Sequence, residues 1–268
     1  MSAGKVAVVI PIYRNNLSNL EFIALQQCQK VLGAYPTIIA KPHHLKLSQQ
    51  INDTINAAAE SFDDSYFKDI AGYNRLMLAE EFYGRFLDYE YILIYQLDAF
   101  VFKDELTLWA DKGYDYIGAP WIRMKDHTNW FKSLKSKPQY FFYRLFNIME
   151  DGHPHRRQFY GRVGNGGFSL RKVKKLHDLC ISEKAKINRY IDRDEHEFNE
   201  DAFWSIEVNR YKKRMNIPGY KTGLKFSIEI EPGCSMEINQ QQLPFGCHAW
   251  DKYANFWRPV FKQYGYDI

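Results

Sequence analysis

Four side chains stand where chemistry would need them. Asp98 interrupts the most apolar run of the chain, EYILIYQLDAFVF (residues 90–102). A carboxylate at the end of such a run is costly unless it is paired or bound to a metal. In open α/β sheets ligands gather beyond the carboxyl ends of strands; the simpler reading is an Asp that caps the next turn. Glu200 and Asp201 open a helical pattern in NEDAFW. There they serve either as N-terminal caps matched to the helix dipole or as carboxylates aimed into a cleft, one of them a general base. His248, in PFGCHAW, is either a histidine packed among aromatics or a metal ligand, and imidazole with carboxylate suits Mn²⁺ and related ions. A fifth feature is backbone: VGNGGFSLR (163–171) sets Gly164, Gly166 and Gly167 around Asn165. Either a tight turn or a ligand lying against the chain would demand so few side chains.

The surrounding elements must position these groups. KVAVVIPIY reads as a buried strand, LSNLEFIALQQCQKVLG as a helix and PTIIAK as a second strand, a βαβ opening that predicts a parallel sheet with helices on its faces. Helices are expected over 48–62, 71–87, 104–113, 172–186 and 199–214. Strands are expected over 90–102, 114–121, 167–171 and 225–230. Residues 122–160 are basic and aromatic with weak periodicity and read in part as a flexible excursion. The tail from about 232 to 268 reads as irregular. No repeat, low-complexity tract or linker divides the 268 residues, and one domain is expected.

Composition narrows the function. Apolar residues make up 46% and aromatics 16%, enough for a core and against disorder. Charge is uneven: residues 121–190 hold 16 Lys and Arg against 5 Asp and Glu, net +11, while the whole chain is +4. Something anionic is expected at that segment, with a solvated basic face the bland alternative. No apolar run reaches the ~20 residues of a bilayer span. Cys28, Cys180, Cys234 and Cys247 form no C-x-x-C pair, and a reduced, cytoplasmic setting is the expectation. KPHH and HPH lack the spacing of a zinc site. P-loop, dinucleotide G-x-G-x-x-G, serine-elbow and H-E-x-x-H motifs are all missing.

Taken in order, VVIPIY, YILIYQLDAFVF, DYIGAPW, VGNGGFSLR, NEDAFW and PFGCHAW resemble the motif series of GT-A glycosyltransferases, over about residues 5–250. The resemblance implies an α/β, Rossmann-like fold with a mixed, mainly parallel central sheet flanked by helices. It implies transfer of a sugar from a nucleoside diphosphate donor, expected to be UDP-linked, to the hydroxyl of a glycan or lipid-linked glycan. QLD stands in place of the family's D-x-D, so Gln96 replaces the first acid and Asp98 is left to hold Mn²⁺ or Mg²⁺ with His248. NED resembles the motif of inverting members, with Asp201 as base beside Glu200. Donor contacts fall on Pro11, Tyr13, Arg14, Asn74, Arg75, Gln96, Asp98, Asn165, Gly166 and Gly167. Acceptor contacts fall on Trp121 and Trp250. The setting implied is bacterial surface glycan synthesis, cytoplasmic, with peripheral membrane contact through the basic segment and no nucleic acid. The rival readings are a nucleotidyltransferase of related architecture and a nucleic-acid-binding module built on residues 121–190.

Overall fold

Strand β1 (Gly4–Pro11) turns Val6, Val8 and Ile10 to one side of a sheet and Ala7 and Val9 to the other, all buried. A strand apolar on both faces needs cover on both, which helices supply. The structure, a computed structural model, describes residues 4–123, 130–191, 193 and 195–268. Helix α1 (Asn19–Leu32) begins at a capping box: the Ser18 hydroxyl accepts from the Glu21 amide, and the Glu21 carboxylate accepts from the Ser18 amide. It leads into β2 (Thr37–Pro42), parallel to β1.

Several expected elements are shorter than the pattern suggested. The helix expected over 48–62 is α2 (Gln49–Thr54) followed by β3 (Ala58–Phe62). Ile55 is extended, and residues 58–62 pair in parallel with β2, so an open sheet edge overrides the helix propensity of the alanines. The helix expected over 71–87 is two, α3 (Ile70–Met77) and α4 (Glu80–Gly84). The Met77 carbonyl at the break accepts from the Tyr83 hydroxyl and the Trp204 indole, which leaves it no need of a helical partner. The run around Asp98 also divides. β4 (Tyr89–Tyr95) ends in a turn closed by the Ala99 amide on the Gln96 carbonyl at 2.9 Å, and β5 (Phe100–Val101) joins a different sheet.

Beyond α5 (Leu106–Asp111) and β6 (Tyr116–Ile117) lies the basic segment. Residues 124–129 of the expected excursion lie outside the described residues. The remainder is ordered structure: α6 (Trp130–Leu145) and a hairpin of β7 (Met149–Glu150) and β8 (His153–Pro154). β9 (Phe168–Lys172), α7 (Val173–Ser182) and α8 (Lys184–Ile191) follow. α9 (Glu200–Ser205) is one short helix where one to 214 was expected. α10 (Tyr220–Phe226), β10 (Ser227–Ile228), α11 (Pro232–Ile238), β11 (Gly246–Cys247) and α12 (Ala254–Gln263) complete the chain. The tail expected to be irregular is thus largely helical, because Trp257 and Phe261 bury against Phe100 and Trp250.

The main sheet runs β3-β2-β1-β4-β9-β6. β1 through β4 are parallel, and β9 is antiparallel to both β4 and β6. A smaller sheet, β10-β11-β5, packs at its end. The mainly parallel, helix-flanked GT-A-like arrangement expected from the motifs is therefore present. Because β9 runs against β4, its start and the end of β4 share one edge (Tyr95 pairs with Phe168), and that edge carries the candidate site.

Candidate active site

Asp98, His248 and Glu229 each lie just past the end of a strand, where a chain leaving a sheet turns its side chains into the space beyond. β4 delivers Gln96 and Asp98, β11 delivers His248, and β10 delivers Glu229. The His248 Nε2 is 3.0 Å from Asp98 Oδ1 and 3.2 Å from Gln96 Oε1, and its Nδ1 is 3.5 Å from Glu229 Oε1. Burial alone would lower the His248 pKa, but Asp98 and Glu229 outweigh it and lift it to about 10. Burial likewise opposes ionisation of Asp98, yet His248 holds it below its ordinary value.

These residues fit a divalent ion. The Asp98 carboxylate oxygen at 3.0 Å and the Gln96 amide oxygen at 3.2 Å both approach the same imidazole nitrogen, and Glu229 on its other nitrogen stands where metal-bound histidines commonly carry an outer carboxylate. Among the described residues no group of three His, Cys, Asp or Glu side chains is arranged to hold a metal. The third protein donor here is an amide, and ligand oxygens would complete the shell.

α9, which lines the same cavity, begins with Glu200 and Asp201. Glu200 Oε1 accepts from Arg171 Nη2 at 2.8 Å, an ion pair out of contact with water. Arg171 is also anchored by the Tyr83 hydroxyl at 2.9 Å and the Gly166 carbonyl at 3.2 Å. Glu200 Oε2 is buried with no partner. Among the described residues no cation is ion-paired with Asp201: burial, then the charges of Glu200 and Glu229, outweigh Arg171 and lift its pKa from 3.8 to about 7. Asn74 on α3 fixes the start of α9, accepting from the Glu200 amide at 3.1 Å and donating to Asn199 Oδ1 at 2.8 Å.

Between the two clusters lies the stretch 164–167. A Cβ on Gly164 would strike the Trp121 ring, one on Gly166 the Glu200 carboxylate, and one on Gly167 the His248 imidazole. Asn165 takes a left-handed φ of 45° and its side-chain oxygen accepts from the Gly167 amide. The glycines thus admit site side chains as close neighbours, and Asn165, Gly166 and Gly167 line a cavity of about 1050 Å³.

Pro11, Tyr13, Arg14, Asn74, Gln96, Asp98, Asn165, Gly166, Gly167, Glu200, Asp201 and His248 all border that cavity, as does Trp121 beside Phe159. Tyr13 is exposed; Arg14 is held by Glu21 at 2.8 Å and by the Tyr13 hydroxyl at 2.7 Å. One sequence expectation needs correction: Arg75 does not reach the cavity, since a helix turns by about 100° between it and Asn74. Trp250 does border it, though fully buried, with its indole donating to the Ala99 carbonyl. Sequence reasoning missed Glu229 and Arg171. The signal was available, since Glu229 sits in KFSIEI as Asp98 sits in its own run, and Arg171 alternates with Ser169 on one face of GFSLR.

Solved structures that resemble the chain are glycosyltransferases, and the likeness is one of fold. Core-mannan synthase A from Aspergillus fumigatus, solved in a Mn/GDP form, matches with TM-score 0.47 and 12% identity over 74% of this chain; the match spans 66% of that protein. The galactosyltransferase LgtC, in complex with donor and acceptor sugar analogues, matches with TM-score 0.46 and 13% identity over 90% of this chain and 86% of its own. Mouse xyloside xylosyltransferase 1 matches with TM-score 0.48 and 9% identity over 91% and 97%. No curated protein matches by sequence. The chain belongs to the family described as protein of unknown function DUF5672, whose model matches residues 56–248.

Proposed function

We propose that this chain transfers a glycosyl group from a nucleoside diphosphate sugar, UDP-linked in the first instance, to an acceptor hydroxyl, inverting the anomeric centre. The observation that carries the reading is that one cavity is lined both by the cluster of Asp98, His248 and Gln96 and by Asp201. Mn²⁺ or Mg²⁺, when bound, supplies charge neutralisation to the departing diphosphate. Asp201 takes the proton from the acceptor hydroxyl. The acceptor oxygen forms its bond to the anomeric carbon as the bond from that carbon to the diphosphate oxygen breaks, and the electron pair leaves with the diphosphate. Glu200 cannot share this role, because Arg171 holds it as an ion pair; its charge instead keeps Asp201 basic near neutral pH. Gly166, Gly167 and Asn165 floor the donor sugar. Pro11 and Tyr13 border the nucleotide, and Arg14 would exchange Glu21 for a phosphate. Trp121 faces the acceptor. A cytoplasmic role in bacterial surface glycan synthesis, on a glycan or lipid-linked acceptor, is the setting that goes with this reading.

The test is a thermal-shift panel of nucleoside diphosphates and their sugars, with and without Mn²⁺, on the native chain and on Asp98→Asn and His248→Ala. One nucleotide should raise the melting temperature, and Mn²⁺ should add to the rise only in the native chain. No shift with any nucleotide would overturn the reading. A metal-dependent shift that survives both substitutions would overturn the assigned ligands.

A further inference from the structure

Helix α6 is amphipathic in the wrong sense for a helix covering a core. Its inward side is polar: Tyr140 and Ser136 are buried, and Arg123 donates to the Tyr140 hydroxyl at 2.9 Å. Arg157 donates to the Tyr143 hydroxyl at 2.8 Å, and Arg144 donates to the carbonyls of Gln158 and Tyr160. Its outward side is apolar. Phe141, Phe142 and Phe146 are 55–64% exposed, with Ile148 and Met149 exposed just beyond them, and the rings of Phe142 and Phe146 lie parallel with centroids 6.1 Å apart. At 100° per residue, positions 138, 141, 142, 145 and 146 fall in one arc of about 140°, and the sequence places Pro, Phe, Phe, Leu and Phe there. Lys137, which is exposed, flanks that arc. Single exposed apolar residues are ordinary, but a contiguous aromatic face on a helix marks a contact surface.

We propose that this face of α6 docks the protein on an anionic lipid bilayer. The composition is that of an interfacial surface: Phe141, Phe142, Phe146, Ile148 and Met149 to enter the acyl boundary and Lys137 at the edge to meet headgroup phosphates. Charge complementarity selects the occupant. Residues 121–190 carry net +11, which attracts an anionic surface and repels a second copy presenting the same segment. The polar anchorage of the inner face holds the apolar face outward. The same segment supplies Arg156, Phe159 and Tyr160 to the cavity wall. Docking therefore turns the acceptor side toward the headgroups, which suits a lipid-linked acceptor; this last clause alone rests on the function proposed above.

The experiment is flotation of the native chain with phosphatidylcholine vesicles, with and without phosphatidylglycerol. The protein should float with the anionic vesicles and stay behind with the neutral ones. Phe142→Asp with Phe146→Asp should lower the partition coefficient by more than about tenfold, and Lys137→Gln by about fivefold. Both variants should keep the native melting temperature in buffer, since the replaced side chains are exposed. Absence of flotation, or flotation equal with neutral vesicles, would overturn the proposal. So would a native dimer in light scattering that the phenylalanine variant dissolves, because the face would then belong to a second copy. No sugar nucleotide enters these measurements, so their outcome is separate from that of the nucleotide panel.

Discussion

Asp201→Asn should make the protein more stable above neutral pH while removing its activity. In the folded chain the Asp201 pKa is about 7, against 3.8 as the ordinary value. The folded state therefore keeps a proton that the unfolded chain has lost between those two pH values, and stability falls as pH rises through the window. At 1.36 kcal/mol per unit the full cost, present above pH ~7, has a ceiling of about 4 kcal/mol. Asn keeps the oxygen that accepts from the Ala202 amide at 2.7 Å and carries no charge to desolvate. Melts of the ligand-free chains should coincide near pH 4 and diverge on raising the pH, the variant higher by on the order of 10 °C at pH 8. Turnover should drop about 10²–10⁴-fold, the usual loss on removal of a general base, with nucleotide affinity unchanged. In the native enzyme, kcat/KM should rise with pH along a one-proton limb governed by Asp201. Parallel melting curves for the two chains across the whole range would refute the electrostatic argument. A product with retained anomeric configuration would refute the base assignment whatever the variant did.

Two further outcomes follow from the packing around 164–171. Gly167→Ala should lower or abolish the Mn²⁺-dependent part of the nucleotide shift, because its Cβ would occupy the place of the His248 imidazole and lie 2.5 Å from Gln96 Oε1; an unchanged metal-dependent shift would show that this approach is irrelevant to binding. Arg171→Met should cost about 3–5 kcal/mol in denaturant unfolding by stranding Glu200, and adding Glu200→Gln should recover part of the loss. A double variant no better than the single would mean that Arg171 acts through Tyr83 and the Gly166 carbonyl rather than through the ion pair.

The frame of the fold was legible because its strands are buried on both faces. β1 and β4 are continuous apolar runs with one admissible reading, and the capped helix between β1 and β2 forces a parallel crossover. What could not be read was settled by contacts distant in sequence. The alanines at 58 and 59 favour a helix locally and become strand only because β2 offers an unpaired edge. The tail looks irregular by periodicity and becomes helical because Phe261 stacks on Phe100 at 3.9 Å.

The same distinction governs the site. Asp98 could be singled out because it is a carboxylate in a setting that penalises it, and Asp201 and His248 because NEDAFW and PFGCHAW resemble short family motifs. Glu229 and Arg171 act through partners distant in sequence, His248 nineteen positions from one and Glu200 twenty-nine from the other. No local pattern sets those separations; the two sheets do, the main one ending β4 and the smaller one ending β10 and β11 where their following residues line one cavity. The glycines join the two kinds of information. Their absence of side chains was plain in the sequence, but the neighbours they admit are the imidazole of His248 and the carboxylate of Glu200. A Cβ at 166 or 167 would therefore displace the residues proposed to hold the ion and to tune the base. That makes the glycine stretch a constraint on site geometry before any donor arrives, and it is why Gly167→Ala and Arg171→Met should weaken different functions although only four residues separate them.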